Sequence, residues 1–474
     1  MRSSLRRTGA AAVGLFAVMT TLVSPALAAG EPATRALYVS GLVSRDVSIF
    51  GIRPGGGLDG PRARVRTGGG SRGIVLAPDG RTAYVAVGFD PGTEIDANKV
   101  ETYRVVAGGG LVRLAPPVAA NGGPVSLAIT PDGRALYLTN RDSGTLSVFS
   151  VARDGKLTQV GDPVPSGAVE PQGLAVTPDG RFLFVSHRGV NETDKDVVTR
   201  FVINADSTLT SLGRPAKIGK SGGAMAITPD GRFLYVPSSL SKQVFGFRVG
   251  ADGSLVNVPG SPYFAPDFPI SATTTPDGRH LYVTDGGILE SGSRKVSAFA
   301  IRADGGLTRL PTAMAGDSPG ALTTTPDGRH LYVSNLDSDD VSAFDIAAGG
   351  GLKEIDGSPF KLAPGEQPAL QAVAVSPDQG PSAAFTEVDG RFDASASTDP
   401  DGQVTRYDWD FGDGTRLPDG GPNPAHALPG PGTFTVTLTV TDDEGCSTRV
   451  VHTGSSALCN GSPAAQTTRT ISVG

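Results

Sequence analysis

One phrase, Pro-Asp-Gly-Arg preceded by Ala or Thr, recurs at near-constant intervals and limits the possible folds of this chain more than any other feature. Its prolines are Pro78, Pro131, Pro178, Pro229, Pro276 and Pro326, and a worn copy, Ser376-Pro377-Asp378-Gln379, ends the series. Successive aspartates stand 53, 47, 51, 47, 50 and 51 residues apart, so the unit is about fifty residues and there are seven of them. Proline presets φ, aspartate bonds its own backbone and glycine accepts a left-handed conformation, which makes the phrase a tight hairpin connection. Alternating apolar stretches flank it, such as Gly173-Leu174-Ala175-Val176-Thr177 before and Phe233-Leu234-Tyr235-Val236 after.

A second strand repeats Tyr38, Tyr84, Tyr137, Phe184, Tyr235, Tyr282 and Tyr332, and a third repeats Phe50, Tyr103, Phe149, Phe201, Phe247, Phe299 and Phe344. A fourth strand starts at Leu58, Leu111, Leu157, Leu209, Leu255, Leu307 and Leu352. Four short antiparallel strands per unit, repeated radially, define a seven-bladed β-propeller. The chain enters the array at Ala36-Leu37-Tyr38-Val39, a second strand without its first, and leaves it at Ala372-Val373-Ala374-Val375, a first strand without successors. The last strand is therefore predicted to complete the first blade, which hides edges an open array would expose. The 65 glycines and 37 prolines agree with an all-β chain dense in turns.

The ends carry other messages. Met1 to Arg7 is basic, Ala10 to Val23 is apolar, and Ala26-Leu27-Ala28 suits leader cleavage. We read residues 1–28 as a signal peptide, 34–379 as the propeller and 380–474 as a second domain, in a secreted monomer without membrane insertion. Removing the leader takes Arg2, Arg6 and Arg7 and lowers the formal charge from -6 to -9. The charges are scattered with no basic face, which excludes nucleic acid as a partner class. Cys446 and Cys459 are the only cysteines, and in an exported chain they are expected to form one disulfide.

Phrases such as Asp327-Gly328-Arg329-His330-Leu331-Tyr332-Val333-Ser334-Asn335 resemble the Tyr-Val-Thr-Asn repeat propellers, and more closely the 6-phosphogluconolactonase-like family over residues 34–379. The resemblance implies seven blades and, in active members, a histidine, a glutamate and arginines at the mouth of the central channel. The histidine position falls here on Val125-Ser126, Gln172-Gly173, Gly223-Ala224 and Ile270-Ser271, and the glutamate position on Arg141, Arg188, Ser239 and Leu336, so neither is matched. The nearest substitute is His187 with Arg188 and Glu192, where a histidine beside a carboxylate could act as general base on water. The plainer alternative is a loop whose histidine replaces asparagine. His280 and His330, duplicates in the hairpin arms, are assigned no chemistry. Arg45, Arg141, Gln172, Asp285 and Asp337 share the loop face and are the expected ligand contacts.

From Phe392 the text changes to Asp399-Pro400-Asp401-Gly402, Tyr407-Asp408-Trp409-Asp410-Phe411-Gly412-Asp413-Gly414 and Gly432-Thr433-Phe434-Thr435-Val436-Thr437-Leu438-Thr439-Val440. These segments resemble the polycystic-kidney-disease (PKD) domain, an immunoglobulin-like β-sandwich. No nucleophile elbow, phosphate loop or Cys/His metal set is present, so no cofactor and no metal are expected. The reading that results is a secreted binding or scaffold protein recognising an extracellular glycan or protein through propeller loops, with a lactone hydrolase as the alternative. Few contacts are expected across Gly380-Pro381.

Overall fold

The computed structural model describes residues 35–89, 96–189, 196–287, 290–362, 365 and 367–474. The propeller has seven blades, and the C-terminal strand Pro368–Val375 pairs antiparallel with Ala36–Gly41 to finish blade 1. The inner strands of blades 2 to 7 are Ser71–Leu76, Pro124–Ile129, Pro171–Val176, Ala226–Ile227, Pro269–Thr274 and Pro319–Thr324. Each is hydrogen-bonded to the second strand of its own blade through the recurring turn. Within those turns the aspartate accepts from the threonine hydroxyl and from the arginine amide, as Asp132 does at 2.6 and 3.1 Å and Asp230 at 2.6 and 3.0 Å. Such a turn is closed by its own side chains.

The tyrosine series has a purpose that its spacing alone leaves open. Tyr84, Tyr137, Tyr235, Tyr282 and Tyr332 donate to the carbonyls of Gly155, Ser207, Gly305, Gly350 and Gly56, each on the next blade, at 2.7 to 3.0 Å. Burial raises all five phenols, so they stay neutral donors. The Tyr332 bond joins blade 7 to blade 1 and so locks the ring. His330 covers the same turn, and a β-carbon at Gly56 (φ +75) would lie 2.3 Å from its imidazole. Tyr332→Phe is expected to destabilise the protein by on the order of 1 kcal/mol, read as a shift of the denaturant midpoint. Blade 4 carries Phe184 at this position and supplies the natural reference for a blade without the bond.

The C-terminal domain is a sandwich whose central strands, Val404–Asp410 and Gly432–Asp442, pair antiparallel. Val436, Leu438 and Val440 are fully buried under an aromatic group of Phe385, Phe392, Trp409 and Phe411. The Trp409 indole donates to the Gly421 carbonyl at 3.0 Å, and His426 stacks on Phe411 while bonding Asp413 at 2.8 Å. Cys446 and Cys459 form the expected disulfide, with Cα atoms 5.7 Å apart and both residues buried.

The expectation of a sparse junction is overturned. The chain after the propeller is held by the disulfide loop: Asp378 N–H donates to Leu458 at 2.7 Å, Asn460 N–H to Asp378 at 3.0 Å, and Gly380 N–H to the Asn460 side chain at 2.9 Å. Within the disulfide loop, the hairpin of Val451–His452 and Ala457–Cys459 enters the ring from the face that carries the Pro-Asp-Gly turns. The inner-strand amides of Ile129, Val176 and Ile227 donate to the carbonyls of Ser455, Gly454 and Thr453 at 2.9, 2.8 and 3.1 Å. His452, with no exposed surface, pairs through Nε2 with the Ile129 carbonyl at 2.9 Å and through Nδ1 with the Gly454 amide at 3.2 Å. A carbonyl can only accept and an amide only donate, so the neutral Nε2–H tautomer is fixed.

An acidic group packs at the base of this hairpin. Arg35 contacts Asp378 and Glu444 directly and reaches Asp401 at 3.4 Å. Burial, reinforced by neighbouring carboxylates, pushes Asp378 up to about 8, Asp399 to about 7 and Asp442 to about 6.

Candidate functional site

The opposite face of the ring is the loop face. In six blades the connection between second and third strands bonds the segment that leads into the inner strand, as in Arg141 to Gly123, Arg188 to Glu170 and Leu336 to Ser318 at 2.9 to 3.0 Å. Just before the inner strands, Glu170, Ser221, Ser318 and Gln367 hold φ of 46, 66, 55 and 42°. Non-glycine residues in this left-handed region carry strain, and such strain concentrates at binding sites. The loop face thus forms a mouth around the channel.

Of the predicted catalytic group, His187 is not at the mouth. His187 ends the second strand of blade 4 with no exposed surface, its Nδ1 donating to the Val169 carbonyl at 3.0 Å and its Nε2 paired with the Thr199 hydroxyl at 2.9 Å. Burial lowers its pKa to about 4. The ring is a neutral packing group shut off from water, and the general-base role is corrected accordingly. Glu192 lies outside the described residues. Arg188, by contrast, is at the mouth, half-buried, and its Nε is buried without a hydrogen-bond partner.

The ligand residues divide in the same way. Arg141 is 30% exposed and bonds its neighbour Asp142 at 2.8 Å, while Asp337 is exposed and accepts from the Ser318 hydroxyl. Arg45 sits in the loop-face turn of blade 1 with φ 56°, and Gln172 is half-buried in the inner strand of blade 4. Asp285 is corrected: it is completely buried in blade 6, accepts from Ser297, and burial pushes it up to about 7.

Sequence reasoning missed Arg72, the second residue of the inner strand of blade 2. Its Nε is buried with no hydrogen-bond partner, and its pKa is lowered by burial and by the positive charge of Arg141. Arg72, Arg141 and Arg188 come from blades 2, 3 and 4 in turn, and the Asp142 carboxylate that bonds Arg141 also acts on Arg72. The signal was available, because Arg72 holds the inner-strand position that was inspected for histidine in other blades. Across the mouth, blades 5 and 6 close on each other: Ala224 N–H donates to Ile270 at 2.8 Å and Ala272 N–H to Ala224 at 3.1 Å. A β-carbon at Gly223 would stand 2.1 Å from the Ile270 carbonyl, so no histidine fits at this one of the four positions that the resemblance offers.

The molecule is therefore a seven-bladed propeller with arginines at the channel mouth, joined to a PKD sandwich. Family models agree: "Lactonase, 7-bladed beta-propeller" matches residues 61–170, 163–263 and 269–365, and "PKD domain" matches residues 374–455. The first match spans more than half the chain, and the protein belongs to the seven-bladed lactonase propeller family. Similar solved structures include the periplasmic gluconolactonase of Pseudomonas aeruginosa, 22% identical with a TM-score of 0.61 over 72% of this chain and 99% of that one. A 6-phosphogluconolactonase-type protein of Bacteroides fragilis is 21% identical with a TM-score of 0.60 over 72% of this chain and 98% of that one. At this identity they share the fold. A microbial collagenase of Vibrio alginolyticus is 39% identical over 62 residues, 13% of this chain and 7% of the collagenase. Among the described residues no helix is long and apolar enough to cross a membrane.

Proposed function

We propose that this chain is a secreted recognition protein whose propeller mouth holds an acidic extracellular glycan. The observation that carries the reading is the pair of guanidinium Nε atoms, on Arg72 and Arg188, buried at the mouth without a protein acceptor. Buried polar groups are ordinarily satisfied, and a planar guanidinium suits a carboxylate better than any neutral partner. The PKD sandwich and its disulfide favour an extracellular setting, and the apolar N-terminal leader supports export.

The family's lactonase chemistry is the competing reading. Against it stand the burial of His187 and the main-chain contact that fills the Gly223 position. Purified protein is expected to bind oligogalacturonate in titration calorimetry, and Arg72→Gln to weaken that binding by roughly 10-fold or more, the size of a charge-assisted hydrogen bond. Hydrolysis of 6-phosphogluconolactone is expected to stay at background. Turnover that survives His187→Ala, with no glycan binding, would establish the competing reading in place of this one.

A further inference from the structure

A propeller channel is open at both faces unless something closes it, and here the sandwich does so. The hairpin tip bonds Ile129, Val176 and Ile227, one repeat position in three adjoining blades, so it leans against one arc of the channel. Beside it on the axis is a cavity of about 70 Å³, bounded by inner-strand residues of all seven blades and by Thr453, Ser455 and Ser456 of the tip. Those three residues keep partial exposure while His452 behind them is fully buried.

The lining is chemically uniform. Its polar side chains are hydroxyls, among them Ser126 and Ser271, and among the described residues no ionisable side chain borders it. Arg72 directly precedes Gly73 of the cavity wall, so the charged residue and the neutral cavity are neighbours along one inner strand. An ionised group entering the cavity would lose water without gaining a counter-charge and is excluded. A neutral hydroxylated group would exchange its water for hydroxyl partners at small cost. The volume admits a few non-hydrogen atoms rather than a whole sugar ring.

We propose that the sandwich hairpin is the floor of the propeller's ligand pocket, that Thr453 and Ser456 are specificity-determining residues in it, and that they receive ring hydroxyl groups of the terminal sugar of an acidic saccharide whose carboxylate stays at Arg72. The proposal rests on the reading of the mouth given above and adds that the two domains build one site. The sandwich then sets how deep a ligand can reach, which a propeller without the hairpin could not do.

The test uses the full chain, with trigalacturonate as the probe in titration calorimetry. Ser456→Leu fills the cavity and is expected to weaken binding by about 10-fold or more, and Ser456→Ala by a few-fold, both with amide protection of Ile129, Val176 and Ile227 unchanged. If Ser456→Leu unseats the hairpin, shown by lost protection, Ser456→Ala decides alone. Parent-like binding by Ser456→Ala and by any seated Ser456→Leu, together with loss in Arg72→Gln, overturns the floor and leaves the mouth standing. Absence of binding by the parent protein overturns both.

Discussion

Replacing His452 by alanine is expected to release the hairpin from the channel. The substitution removes a fully buried imidazole and orphans the Ile129 carbonyl and the Gly454 amide. A buried cavity and two unsatisfied polar groups together cost about 3 kcal/mol. If opening of the hairpin limits exchange, the amides of Ile129, Val176 and Ile227 should exchange on the order of 10²-fold faster, since that free energy is a little over two decades in an equilibrium constant. Amides in the middle of the second strands should not change. His452→Gln, which can still donate to Ile129, should fall between parent and alanine. Equal exchange in parent and His452→Ala would mean that the main-chain bonds to Ile129, Val176 and Ile227 and the disulfide seat the hairpin without the imidazole.

Thermal stability should fall as pH rises from 6.5 to 8.5. Asp378, Asp285, Asp399 and Asp442 have folded values of about 8, 7, 7 and 6, against an unfolded value near 4. Groups raised in this way hold protons in the folded state that the unfolded chain has released. Their stabilisation is complete below the unfolded value and is lost as pH rises through the folded one. Over this window the loss amounts to about 3 kcal/mol, to which Asp442, whose folded value lies below the window, contributes least and the part-exposed Asp399 less than its shift suggests. His187 and His452, both lowered to about 4 by burial, act in the opposite sense: their contribution is present above 6.5 and lost as pH falls toward 4. The two histidines therefore offset part of the further rise that the four aspartates give below pH 6.5. Asp378→Asn should remove most of the alkaline slope, and an unchanged slope in that variant would show that the acidic group under the hairpin does not govern it.

The parts of this architecture that were legible in the sequence are those specified by short-range patterns. The turn phrase names its own hairpin, because threonine, aspartate and glycine satisfy one another within five residues. The missing first strand at Ala36 and the surplus strand at Ala372 specified ring closure, since an unpaired edge must find its partner. The alternation through Val436, Leu438 and Val440 announced the sandwich, and two lone cysteines in one loop announced their bond.

The site was less legible. His187 looked like a loop histidine because a position in the chain says nothing about depth, and only the folded blade puts Val169 and Thr199 around it. Asp285 misled for the same reason. Arg72 was overlooked as an ordinary strand residue, and its place at the mouth depends on where neighbouring blades bring Arg141 and Arg188. The hairpin's insertion left no trace, because the contact between His452 and Ile129 joins residues 323 positions apart in two different domains. By itself, then, the sequence determined the number of blades, the way the ring closes, the sandwich and its disulfide. Tertiary structure alone decided that the sandwich closes the channel and which charges face it. Repeats and turns are encoded by bonds between neighbours in the chain, whereas burial and the pairing of distant backbone groups exist only once the ring has closed around them.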